Sequence, residues 1–191
     1  MLGAVVDLET TSLSAVGEGM IVCAVIKPLM MDAEVLRYDY LNCKPGKEKK
    51  LVQEIVTRLS DFHLLIGHNI LSFDWGFLKS RAVSLGVPFK HFPLAYDTMR
   101  AFKRTGLRTR LNQIGKPTAA LDHIVDFFGL PQEKTRLYPV EHWKTIWETG
   151  DDRTKAVQAL VDHCVADVEM TEKIYWKLLD LDVGMGFQRL K

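Results

Sequence analysis

Two acidic residues stand two apart near the start of the chain, in Val5-Val6-Asp7-Leu8-Glu9-Thr10. Side chains on an extended strand alternate between faces, so Asp7 and Glu9 point the same way at the end of the apolar run Leu2, Ala4, Val5 and Val6. Like charges side by side at the edge of a core repel, unless one carboxyl is protonated or a cation lies between them. A hard divalent ion such as Mg²⁺ is the simplest partner, because it takes one or two carboxylates and keeps several waters. The competing reading is a strand that runs into a solvated turn at Thr10-Thr11-Ser12 with two ordinary surface acids. Two later stretches carry similar chemistry. In Gly67-His68-Asn69-Ile70-Leu71-Ser72-Phe73-Asp74 a third carboxylate stands at a strand-to-helix junction, after an Asn able to hydrogen-bond the backbone or a ligand. The alternative there is a plain helix N-cap at Asp74. In Asp162-His163-Cys164-Val165-Ala166-Asp167-Val168, His163 and Asp167 are four apart at helical spacing and share a face. A surface His–Asp pair is the alternative, although the apolar Val165 and Val168 make a fully solvated Asp167 less comfortable.

The elements that must position these groups are readable from periodicity. Met20 to Ile26 is a second apolar strand ended by Lys27-Pro28, and Glu34 to Leu41 alternates as a third, closing an antiparallel meander. Lys47 to Leu59 carries Leu51, Val52, Ile55, Val56 and Leu59 at helical spacing. Leu64-Leu65-Ile66 is a buried strand ended by Gly67, and a helix follows from Asp74 to Leu85, closed by Gly86 and Pro88. Leu94-Ala95-Tyr96 makes a fifth strand that stops at Asp97-Thr98. The second half is helical. Thr118 caps a helix bearing Leu121, Ile124, Val125 and Phe128, a shorter helix carries Trp143, Ile146 and Trp147, and a long one runs from Asp151 to about Leu181. Residues 182–191 carry no pattern. Strands first, then alternation, predicts an α/β chain with a mixed sheet of about five strands, helices on both faces and one domain over 1–191.

At 191 residues and 47% hydrophobic content the chain can bury a full core. Its net charge of +1 supplies no global field, so a polyanion has to be held by a local patch or by metal. Such a patch exists on paper: Arg100, Lys103, Arg104, Arg108, Arg110 and Lys116 crowd one segment, which either holds phosphates or is a solvated basic face. Cys23, Cys43 and Cys164 show no CxxC spacing and suit reduced thiols, which implies a cytoplasmic setting and no zinc site. No apolar run approaches the roughly 20 residues of a membrane span, so no membrane partner is expected. Trp75, Trp143 and Trp147 fall on apolar stripes and read as core.

In this order and over residues 4 to 179, the three stretches resemble the DEDD, or DnaQ-like, superfamily of 3′-5′ exonucleases, which has a ribonuclease H-like fold. Asp7-Leu8-Glu9-Thr10 matches its first motif, His68-Asn69 leading to Phe73-Asp74 its second, and His163 leading to Asp167-Val168 its third. The resemblance implies two Mg²⁺ or Mn²⁺ ions held by Asp7, Glu9, Asp74 and Asp167, with phosphodiester hydrolysis at the 3′ end of single-stranded DNA or RNA. It places Thr10, Leu13 and Phe73 at the terminal nucleotide; Asn69 is a substrate-binding candidate by its hydrogen-bonding side chain, and Arg104, Arg108 and Arg110 are the phosphate contacts expected of the basic segment. A replication or repair partner is compatible with such an activity but is not written in the sequence. The third motif departs from the family, whose members carry Tyr four residues before the last Asp or His five before it. Here His163 stands at the tyrosine spacing and Asp162 at the other. On a helix, four residues leave a rotation of only about 40° and five about 140°, so His163 shares the face of Asp167 and is the expected general base.

Overall fold

The computed structural model describes residues 2–15, 17, 19–29, 34–39, 47–90, 93–107, 118–131, 150–181 and 187–189. Tyr40, Leu41, Cys43, Arg108, Arg110, Lys116 and the expected helix around Trp143, Ile146 and Trp147 lie outside the described residues.

The meander forms as the alternation requires. Strands β1 (Gly3–Thr10), β2 (Ile21–Pro28) and β3 (Leu36–Asp39) pair antiparallel, with Asp7 opposite Val25 and Glu9 opposite Cys23. The register shifts between Glu9 and Thr10. Strand β4 (Leu64–Gly67) then pairs parallel with β1, and β5 (Leu94–Asp97) parallel with β4. The five expected strands are joined by a sixth: β6 (Phe187–Arg189), in the tail that carried no pattern, pairs antiparallel with β5. The order is β3-β2-β1-β4-β5-β6, which puts β1 and β4 at the centre. Every residue from Ile21 to Ile26 is fully buried, and because successive side chains point to opposite faces, both faces of the sheet are covered there.

Five helices are described: α1 (Lys49–Leu59), α2 (Asp74–Ser84), α3 (Thr98–Arg104), α4 (Leu121–Phe127) and α5 (Asp151–Asp180). α5 spans about 45 Å at 1.5 Å per residue and lies across β2, β1 and β4, with α3 and α4 packed against it. Its buried stripe includes Val157, Leu160, Val161, Cys164, Val168, Ile174 and Leu178. Two caps differ from expectation. Phe73, not Asp74, is the N-cap residue of α2, and Asp74 lies in the first turn with its side chain directed elsewhere. Ala120 is the N-cap of α4, while Thr118 accepts through its hydroxyl from Ala120 N–H at 3.2 Å, one step before the helix. Between β4 and α2 the chain turns tightly. A methyl group on Gly67 would stand 2.7 Å from Ile70 Cβ, so only glycine allows this approach.

Candidate active site

β4 pairs with β1 only over Gly3–Val5, so past Val5 the β4 side of β1 has no strand to satisfy its N–H groups. The Leu8 N–H donates instead to Asp74 Oδ1 at 3.2 Å. This bond ties the first turn of α2 to β1 and explains why Asp74 is not a cap. Across the same end of β1 lies α5. Its Cys164 thiol donates to Asp7 Oδ2 at 3.1 Å, and His163 Nε2 stands 3.8 Å from Glu9 Oε1 and 3.7 Å from Asp167 Oδ2. Asp7 and Glu9 from β1, Asp74 from α2 and Asp167 from α5 are thus gathered at the end of the central strand.

The carboxyls disturb one another. Burial pushes Asp7 well above the usual carboxylate range, with Asp74, Glu9 and Asp167 adding to the shift and the Cys164 hydrogen bond opposing it. Glu9 is pushed up to about 8, first by burial and then by Asp167 and Asp74. Asp74 rises to about 7 through burial, although two backbone hydrogen bonds oppose the shift. Asp167 is raised by burial too, with His163 pulling it down and Asp122 pushing it up. Four acids that resist ionisation together are a site lacking positive charge. Among the described residues no three His, Cys, Asp or Glu groups stand as a ready-made ion cluster, and one oxygen each of Asp74 and Asp7 is taken up by the Leu8 N–H and the Cys164 thiol. The donor set still fits hard divalent ions: all carboxylate oxygen, partly buried, and short of cations.

The flanks are ordered by a second network. The buried Asp97 accepts from Asn69 N–H at 3.2 Å and Leu71 N–H at 3.1 Å, and caps α3 through Arg100 N–H at 3.0 Å. It clamps the turn that delivers Asp74, in which Asn69 adopts a φ of 68°. Arg100 Nη2 adds a bond to Ser72 Oγ at 3.1 Å. His68 donates from Nε2 to Ala119 O at 3.0 Å and turns Nδ1 to the Thr98 hydroxyl, also at 3.0 Å. Burial lowers its pKa to about 4, so His68 is a neutral strut. Thr10 spends its hydroxyl on Ser12 O at 2.8 Å, the turn-forming role. Leu13 is 89% exposed and therefore not core; with Ala15, Phe73, Gly76 and Phe77 it lines a groove beside the site. Arg104 is exposed at the end of α3, and Trp75 is buried, as its stripe predicts.

This fold and this cluster can be set against known proteins. A family model for the RNase H superfamily matches residues 4–179. The chain belongs to the RNase H superfamily. An uncharacterized protein of Methanocaldococcus jannaschii is 28% identical over 190 residues, covering 94% of this chain and 97% of that protein. The structure of the family B DNA polymerase from the hyperthermophilic archaeon Pyrobaculum calidifontis is similar over 97% of this chain with a TM-score of 0.69 at 18% identity. The chain spans a quarter of that polymerase, and the likeness is one of fold. RNase H superfamily members are mostly nucleases, and for this member a nuclease-type function is supported.

Two residues of the network escape sequence reading. Cys164 sits on a buried helical stripe where any small apolar residue would look alike, so its contact with Asp7 leaves no trace in the pattern. Asp97 does leave one, since an Asp-Thr pair after a strand and before a helix is an N-cap signature. Its bonds to Asn69 and Leu71 appear only in three dimensions.

Proposed function

We propose that this RNase H superfamily member is a 3′-5′ exonuclease of the DEDD type that hydrolyses single-stranded nucleic acid from its 3′ end. The observation that carries the reading is the gathering of Asp7, Glu9, Asp74 and Asp167 from three elements, each held above its ordinary pKa, with His163 between Glu9 and Asp167. Two Mg²⁺ or Mn²⁺ ions held by these acids would supply Lewis acidity toward the attacking water and charge neutralisation at the departing 3′ oxygen.

The chain's own groups do the rest. His163 Nε2, which stands 3.8 Å from Glu9 Oε1 and 3.7 Å from Asp167 Oδ2, accepts a proton from the attacking water. The water oxygen bonds to phosphorus and the P–O3′ bond breaks, so that the 3′ oxygen of the shortened strand takes a proton from solvent to become its new 3′-hydroxyl and a nucleoside 5′-monophosphate is released. Leu13 and Phe73 form the walls of the groove in which the terminal nucleotide lies, and the Asn69 turn is held rigid by Asp97. Arg104, Arg108 and Arg110 contact phosphates without regard to sequence. The fold shared with a DNA polymerase makes DNA an apt first substrate.

The test is digestion of 5′-labelled single-stranded DNA and RNA side by side, with Mg²⁺ or Mn²⁺ and with excess chelator. The expected result is a ladder shortening from the 3′ end that chelator abolishes. Cutting of a circular single strand would assign an endonuclease instead, and binding without any cleavage would make the chain a nucleic-acid-binding module.

A further inference from the structure

We propose that Cys164 is a positioning residue, whose thiol holds the Asp7 carboxylate by one oxygen so that the other is left for the ion site. The inference deepens the two-ion reading above and rests on it. The geometry behind it is local and specific. Cys164 follows His163 on α5, but one residue is a rotation of about 100°, so it leaves the His163–Asp167 face and points down onto β1. There Sγ lies 3.1 Å from Asp7 Oδ2 and 3.4 Å from the Asp7 main-chain oxygen. The thiol carries one proton, so the shorter contact, to the carboxyl oxygen, is the hydrogen bond and the longer one is secondary.

A second sulfur backs the first. Cys23 sits on β2 opposite Glu9, fully buried, and its thiol is hydrogen-bonded to Cys164. Two buried thiols thus lie beside Asp7, of which Cys164 donates to it. Carboxylates that bind metals are commonly oriented by hydrogen bonds from behind, and losing such a partner typically costs 10- to 100-fold in metal affinity. A serine could donate as well, but its shorter C–O bond would not reach as far. An alanine or valine would leave Asp7 Oδ2 buried without a donor.

Mn²⁺ binding to the full chain, followed by calorimetry and electron paramagnetic resonance at neutral pH, tests this without reference to cleavage. Cys164→Ala should weaken Mn²⁺ binding by roughly 10- to 100-fold. Cys164→Val, which restores the lost volume but not the donor, should bind as poorly, and Cys164→Ser should recover part of the loss. Folding is checked by thermal melting in chelator, and Cys164→Val carries the test if the alanine variant melts early. An infrared S–H band assigned to Cys164 by its absence from Cys164→Ala should shift on addition of Mn²⁺ or in Asp7→Asn. Wild-type affinity in both Cys164→Ala and Cys164→Val would overturn the positioning role and leave the two-ion reading intact. A wild-type chain that binds no Mn²⁺ would overturn both.

Discussion

Replacing Glu9 by Gln should make the metal-free protein more stable at neutral pH, an unusual outcome for a change inside a candidate active site. Glu9 is raised from 4.5 to about 8 in the fold, chiefly by burial and then by Asp167 and Asp74. A carboxyl raised in this way takes up a proton on folding. Its contribution is most favourable below the unfolded value and is lost as the pH climbs toward 8. At pH 7 the unfolded glutamate is ionised while the folded one is still mostly protonated. Linkage at about 1.4 kcal/mol per unit then makes Glu9 cost about 3 kcal/mol relative to pH 4. Gln occupies the same space without that cost. For a chain of this size each kcal/mol moves the melting temperature by about 2–4 °C, so Glu9→Gln in chelator should melt roughly 6–12 °C above wild type at pH 7. At pH 4 the two should coincide. With saturating Mn²⁺ the order should reverse, because ion binding stabilises the wild type by mass action and the variant has lost a ligand. Differential scanning calorimetry over the two pH values and both metal conditions measures all of this. A variant no more stable than wild type in chelator at pH 7 would refute the electrostatic account of the site.

Three further outcomes follow from the same geometry. His163→Ala should lower cleavage by roughly 10²- to 10⁴-fold, while Asp162→Ala should change little; the Asp162 carboxylate is exposed and accepts from Gln158 Nε2 at 2.8 Å. Replacing Arg104, Arg108 and Arg110 together with Ala should weaken binding to all single strands alike and flatten its salt dependence, and an unchanged slope in a filter-binding titration would assign them to the solvated face. Arg81→Ala should destabilise the fold by about 3–5 kcal/mol in urea unfolding, because it strands the fully buried Glu48 carboxylate that Arg81 Nε meets at 2.6 Å. Glu48→Gln should cost less, since a Gln oxygen can still accept from Arg81 Nε and the guanidinium also donates to Ala15 O.

What the sequence determined by itself was the order of the elements and the identity of the acids. Apolar runs placed β1, β2, β4 and β5, alternation placed β3, terminal signals placed α2, helical spacing placed α1, α4 and α5, and Asp7, Glu9, Asp74, His163 and Asp167 could be picked out from spacing and resemblance. These features are local, and local patterns survive in one dimension. The tertiary structure decided everything that depends on where one strand ends beside another. β4 stops pairing at Val5, which frees the Leu8 N–H to capture Asp74 and turns an apparent cap into a member of the acid cluster. β6 draws a patternless tail onto the edge of the sheet, where it pairs with β5. Asp97 reads as a simple cap of α3 yet also clamps the Asn69 turn, and Cys164 reads as one more small core residue yet touches Asp7. Hydrogen bonds between residues 28, 66 or 157 positions apart leave no periodic signature, because each depends on the packing of whole elements and not on the residues that separate them in the chain.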